Sequence, residues 1–264
     1  MDSTRIAELE WANYAATSAV ARAIPDYHIT MRPDLILSLS RAFPLPDVNH
    51  ACLLRTTPER ADGLIAEVVD AFHSYGLPAT VFLSPACTPA DLPERLEARG
   101  FVRQEGAETW LVVENLQAVP IPPPRPDVAV RRLNADEAIT FATIFLAAFD
   151  LPTELAPYLA QMLAPSIGLP TVHHYVALSA GQPVGVCTLL THERFGVLGS
   201  AGVLPAHRLA GAAQNLAIQS AADAQAQGVQ TLMVQTQADT WIERLLTAYG
   251  FVRAFTRVGY VLKP

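Results

Sequence analysis

The residues of this 264-residue chain best placed by type and spacing to do chemistry lie in Gly202-Val203-Leu204-Pro205-Ala206-His207-Arg208-Leu209-Ala210-Gly211-Ala212-Ala213. The pattern predicts a strand ending at Val203, a turn at Pro205 and a helix beginning near Gly211. The first turn of a helix has backbone N–H groups without intrahelical acceptors, and the macrodipole adds positive potential there. Glycine at 211 and alanines at 212 and 213 leave those amides open to close approach. The chemistry this allows is the binding of an anion, a diphosphate above all. A plain strand–turn–helix corner has the same outline, so the surroundings of the loop decide between the two.

The elements that must position the loop follow from local signals. Val128 to Arg132 predicts a strand, and Asn134 with Glu137 a capping box before a helix reaching about Ala148. Strands from His174 to Ser179 and Val184 to Thr191 join at Ala180-Gly181-Gln182-Pro183, and a third from Phe195 to Val203 follows the His192-Glu193 turn. After the loop an alanine-rich helix runs to Gln227, followed by a strand. A helix opened by the Thr240-Trp241-Ile242-Glu243 capping box and stopped by Gly250 comes next. The last strand places Val258, Tyr260 and Leu262 on one face.

Proline density from Ala118 to Asp127 blocks helix and removes backbone donors, which predicts an extended linker. The sequences on either side of it repeat. Gly100-Phe101-Val102-Arg103 recurs as Gly250-Phe251-Val252-Arg253, an offset of 150 residues. The same offset carries Leu96 onto Leu246, Ala98 onto Ala248, Trp110 onto Tyr260, and Thr80 to Leu83 onto Gln230 to Met233. Agreement of the flanks at one offset points to duplication. Each half is expected to end in a strand, a glycine-stopped helix and a final strand, with Thr88-Pro89-Ala90-Asp91 starting that helix in the first half.

At 51% hydrophobic and 16% charged residues the composition is that of compact globular structure, in one large domain or two small ones. The net charge of −7, with no Lys/Arg stripe, argues against nucleic acid as a partner. Apolar stretches are interrupted too often for a membrane span, and the N-terminus lacks the apolar core of a signal peptide. Cys52, Cys87 and Cys187 are far apart and odd in number, so neither zinc nor a disulfide framework is expected, and the default location is the cytoplasm. His173-His174 lacks metal-ligand spacing and reads as a surface or sheet-edge pair; no metal is expected.

Arg208-x-x-Gly211-x-Ala213, with Val203-x-Pro205 before it and Gly250-Phe251 closing the chain, resembles the GNAT superfamily of N-acetyltransferases. The family's cofactor loop is written [Gln/Arg]-x-x-Gly-x-[Gly/Ala]. The resemblance covers about Val128 to Leu262, and weakly the first half. It implies an α/β chain of the α+β type: two tandem GNAT-like lobes, each a mixed, mostly antiparallel sheet flanked by helices. The divisions are a degenerate lobe at 1–117, the linker at 118–127 and an acetyltransferase lobe at 128–264. The resemblance further implies that amides of Arg208, Leu209, Ala210, Gly211, Ala212 and Ala213 hold the diphosphate of acetyl-CoA or another acyl-CoA. The strand ending at Val203 would splay from the next, near Leu232 to Gln235, and admit the pantetheine arm. An amide among Ala201, Gly202 and Val203 would polarise the acyl carbonyl. In the first half Asn49, Pro58-x-Arg60-x-x-Gly63 and Gly100-Phe101 look like a worn copy, where Leu64 and Ile65 predict obstruction and hence one cofactor per chain.

The family often carries a glutamate on the strand before the loop and a tyrosine four residues before the Gly-Phe pair; this chain has Val197 and Leu246 there. The substitutes for proton transfer are Glu193 beside His192, Ser200 and Tyr249, and those for substrate contact are Asp239 and Trp241. Each has a plainer reading: a solvated hairpin tip for Glu193, a satisfied strand hydroxyl for Ser200, packing for Tyr249 and a helix start for Asp239. Trp11, Trp110 and Trp241 read mostly as core. The expected function is acetyl transfer to a primary amine, of a small molecule or a peptide, by direct attack in a ternary complex. No Cys/His or Ser/His/acid arrangement suggests a covalent acyl-enzyme. A monomer or homodimer would suffice. The alternative is an acyl-CoA-binding sensor or interaction protein without turnover. A Rossmann domain would need Gly-x-Gly-x-x-Gly after an early strand, and the chain has none.

Overall fold

Asp2 accepts the amide of Arg5 at 2.9 Å and so starts α1 (Ser3–Ala23). The computed structural model describes residues 1–41, 43, 45–208 and 210–263. Contacts divide the chain into two units, Met1–Val112 with Gln235–Pro264, and Val113–Val234.

In the first unit α1 is followed by β1 (Tyr27–Arg32), β2 (Leu35–Ser40), β3 (His50–Cys52), α2 (Pro58–Tyr75), β4 (Thr80–Leu83), α3 (Leu92–Ala98), β5 (Phe101–Arg103) and β6 (Glu108–Val113). α2 buries Ala61, Leu64, Ile65, Val68 and Phe72, a stripe at helical spacing that packs on Leu35, Leu39 and Val81 of the sheet. Each large side chain buried there contributes about 1.5–3 kcal/mol. Arg60, Gly63 and Ile65 therefore lie within a helix, and the worn first-half copy forms no loop. α3 starts at Leu92, with Asp91 rather than Thr88 at its N-cap.

The second unit runs through β7 (Val128–Arg132), α4 (Ala138–Ala148), α5 (Ala156–Leu163), β8 (Val172–Ser179), β9 (Gln182–His192), β10 (Phe195–Val203) and α6 (Ala212–Ala226) into β11 (Thr231–Gln237). β7, β8, β9 and β10 pair antiparallel in that order, and β10 pairs parallel with β11. The capping box at Asn134 and Glu137 forms as the spacing requires. Val176 and Val186 pack with Phe141 and Ile144 of α4. On the other face Tyr175 donates to Asp223 of α6 at 2.9 Å. α4 and α6 thus cover opposite faces of the sheet.

The chain re-enters the first unit within β11 and ends there in α7 (Trp241–Ala248) and β12 (Val252–Leu262). β12 pairs antiparallel with β4, β5 and β6. Gly100 at φ 86° and Gly250 at φ 91° follow α3 and α7, as the repeat predicts. Beyond them the halves differ, since the first continues as two short strands and the second as one long one. The stretch 235–264, which the repeat assigns to the second lobe, thus packs with the first unit, because its last strand completes the ladder there. Trp110 is fully buried and stacks on Phe255 at 5.0 Å, whereas Trp11 and Trp241 are exposed, at 39% and 56%. No helix among the described residues is long and apolar enough to cross a membrane.

Candidate active site

β10 is irregular where chemistry was expected. It pairs with β9 through Gly199, resumes at Gly202 and Val203, and bulges at Ser200 and Ala201 between them. Ser200 has φ 48°, a conformation disfavoured for a residue with a side chain, and both bulged residues are exposed. On its other edge β10 pairs with β11 only as far as Leu198 and Val234. The strand from Gly199 to Val203 runs on past that ladder, and among the described residues no strand pairs with it on this edge.

After Val203 a single 3-10 turn at Pro205–His207 redirects the chain. Arg208 donates from its guanidinium to the carbonyl of Ala148, the last residue of α4, at 2.9 Å. This places a cation at a helix C-terminus, where the dipole favours it. Gly202 packs on the same helix end: a Cβ added to it would lie 2.7 Å from that of Ala148. Leu209 lies outside the described residues. Gly211 caps α6 at φ 88°, which only glycine adopts without strain.

The first intrahelical bond of α6 is Asn215 N–H to the Gly211 carbonyl at 2.9 Å, and no side chain caps the helix. Among the described residues the amides of Gly211, Ala212, Ala213 and Gln214 have no protein acceptor. Consecutive free N–H groups at a helix N-terminus suit an anion with several oxygens, so the residues present fit a diphosphate. Arg125, in the proline-rich stretch, lies across this mouth. A Cβ on Gly211 would collide with its Cδ and come within 2.8 Å of its Nε. Asn215, 1% exposed, accepts the Arg125 amide and donates to the carbonyls of Arg125 and Val128 at 2.7–2.9 Å. The guanidinium pairs with the exposed Asp127. Sequence reasoning missed Arg125; its one sign there was a lone cation within the proline run.

Not every predicted residue reaches the loop. Glu193, at φ 50°, sits at the exposed β9–β10 turn, at the opposite end of β10 from Val203. Ten residues of extended chain put these about 30 Å apart, so Glu193 is a hairpin tip and not a base for this site. Ser200 lies in the bulge itself. Asp239, Trp241 and Tyr249 belong to the first unit, which contains no part of the loop. Asp239 pairs with Arg253 at 2.8 Å before α7, and Tyr249 caps that helix with 37% exposure. Val197 is buried. His173 and His174 are buried too, at 7% and 5%, and are not the surface or edge pair expected from sequence.

The model of the acetyltransferase (GNAT) family matches residues 140–251, a span holding most of α4, the bulged strand and the start of α6. Over those residues the chain is similar to a GNAT acetyltransferase domain. A search of curated proteins finds no match. The GNAT fold extends over nearly the whole chain in solved structures. A GCN5-related N-acetyltransferase from Kribbella flavida superposes with a TM-score of 0.66 at 17% identity, covering 95% of this chain and 96% of that one. A tandem GNAT protein from the clavulanic acid biosynthesis pathway gives 0.61 at 16%, covering 94% and 88%. A GCN5-related N-acetyltransferase from Sphaerobacter thermophilus gives 0.59 at 17%, covering 89% and 82%. The match over residues 140–251 supports a GNAT-type acyltransferase and, in general terms, acyl-CoA-dependent acetyl transfer.

Proposed function

We propose that the protein transfers an acetyl or short acyl group from CoA to a primary amine, with the amine attacking directly in a ternary complex. The observation that carries this reading is the run of amides from Gly211 to Gln214 that have no acceptor among the described residues, directly after a bulged strand. Those amides would hold the diphosphate. The edge of β10 from Gly199 to Val203 would pair with the pantetheine amides. Acyl-CoA supplies an activated thioester, and amides of Ala201, Gly202 or Val203 would polarise its carbonyl.

With valine at position 197 and Glu193 remote, no carboxylate on β10 takes the amine proton. Water at the exposed bulge would carry it away, leaving rate enhancement to positioning and backbone dipoles. The same lack of a base favours one second reading, an acyl-CoA-binding protein without turnover.

Calorimetric titration with acetyl-CoA, followed by thiol release in the presence of an amine panel, tests both. Binding with amine-dependent thiol release is the expected result. Binding without release would move the protein to the second reading, and no binding would overturn both.

A further inference from the structure

Three residues stand in a row across the sheet of the second unit. His174 of β8 is paired with Thr188 of β9, and Thr188 with Gly199 of β10. Residues directly opposite in antiparallel ladders project to the same face. That face is the one α4 covers, since the His174 ring meets Phe141 edge-on at 5.3 Å. His174 is 5% and Thr188 6% exposed, while a Cβ placed on Gly199 would meet nothing within 4 Å. The row therefore runs from the core to an open space, one residue before the bulge.

The hydrogen bonds along the row have one consistent direction. Ser166, fully buried, lies 2.7 Å from the carbonyl of Leu163, which can only accept, so its proton is used there. Its oxygen, 2.8 Å from His174 Nε2, must then accept from that ring nitrogen. Burial, with the neighbouring His173 adding to it, holds the His174 pKa down to about 4, so the ring is neutral and carries one proton. Nδ1 is then an acceptor, and Thr188, 2.8 Å away, donates to it. The proton of Thr188 is committed inward, and only lone pairs of its oxygen remain for an incoming group.

We propose that the Thr188 hydroxyl is an acceptor-binding group: in the space over Gly199 it takes an N–H of the attacking amine, with His174 and Ser166 as positioning residues that fix its polarity. The proposal rests on the acyl-transfer reading. No proton changes owner in this role. An N–H held by Thr188 orients the nitrogen lone pair away from β9, toward the bulge where the thioester would sit. The site thereby selects nucleophiles that keep an N–H while offering a lone pair, and primary amines do so.

The test uses the full chain with acetyl-CoA and propylamine, benzylamine, tyramine and spermidine as probes. Thr188→Val is expected to lower kcat/KM for the best amine at least tenfold while acetyl-CoA affinity stays within twofold. Thr188→Ser is expected to restore most of the loss. Nitrogen-15 spectra of the labelled protein should show His174 as the Nε2–H tautomer. A wild-type rate in Thr188→Val, or an Nδ1–H tautomer, would overturn the proposal while leaving acyl transfer intact. Failure of the wild-type protein to release thiol with any probe would instead remove the acyl-transfer reading, and this proposal with it.

Discussion

Ala213→Asp separates binding from folding at the proposed diphosphate seat. Ala213 is exposed in the first turn of α6, two residues after the left-handed Gly211. A carboxylate there faces the positive end of the helix dipole, which is worth about 0.3–1 kcal/mol in favour of the fold. That gain offsets the lower helix propensity of aspartate, so the melting temperature is expected to hold within about 2 °C. A diphosphate on the same amides would lie about 6 Å from the new charge. Each charge pair at that distance costs about 0.7 kcal/mol at the dielectric of water and about 3 kcal/mol at an effective dielectric of 20. Two ligand charges, reduced by salt, leave about 1.4–3 kcal/mol, a tenfold to hundredfold loss of CoA affinity. Calorimetry at low and moderate salt measures it, and pantetheine, which lacks the diphosphate, is expected to be unaffected. An unchanged CoA Kd would refute the placement of the diphosphate on α6. A gentler change at Gly211 would confound the two effects, since any side chain there meets both the positive φ and Arg125.

Three further outcomes are expected. His174 in the unfolded chain takes up a proton near pH 6.5, whereas the folded ring does so only near 4, so acidification through this window favours unfolding by about 1.4 kcal/mol per pH unit. The difference between denaturant titrations of the wild type and of His174→Gln should show this slope, because the comparison cancels Glu10, whose pKa burial raises to about 7 and which acts in the opposite sense, and His50, whose pKa burial lowers to about 3 and which acts in the same sense. Arg257→Met should cost about 3–5 kcal/mol in urea unfolding, because it strips the fork on Glu108 at 3.1–3.2 Å and leaves Glu10 buried beside an apolar group, while Glu10→Gln at pH 6 should cost under about 1 kcal/mol. Asn215→Ala strips the partner of the Arg125 amide and of the buried Val128 carbonyl and should cost about 1–3 kcal/mol, with faster hydrogen exchange of the Arg125 amide as the local readout.

Legibility in the sequence followed the range of the forces involved. The strand ending at Val203, the helix after Gly211, the Asn134 capping box and the glycines after α3 and α7 are set by residues within a turn of one another, and all form as the sequence implies. The alternation of Val258, Tyr260 and Leu262 announces a strand but says nothing about its partners, which is why the pairing of β12 with β4, β5 and β6 was not visible. The bulge at Ser200 and Ala201 depends on register against β9, which no local pattern encodes. Glu193 is a candidate by type because carboxylates move protons; its remoteness emerges only once it and the loop are seen at opposite ends of one long strand. His173-His174 looked superficial because histidine is polar, but Gln227, Ser166 and Thr188 supply the partners that make their burial affordable.

The duplication and the compact units describe the chain differently, and the difference has a physical origin. A sequence repeat records which segments are alike, whereas a unit records which segments bury each other. Thr80 to Leu83 matches the start of β11 in the repeat, yet in space β4 takes as its neighbour β12, whose pairs run from Val258 with Leu83 to Val261 with Thr80. Leu262 pairs with Phe101, whose counterpart in the repeat is Phe251, ahead of β12 itself. Corresponding termini of the two copies thus meet within one sheet. Tyr260 belongs to the same buried cluster as Leu96 and Phe101, so the first unit has a complete core only when the last strand is in place. The first compact unit therefore joins Met1–Val112 with Gln235–Pro264. The proposed seat for the diphosphate, by contrast, draws its residues from 113–234, where the elements that shape it are contiguous in the chain.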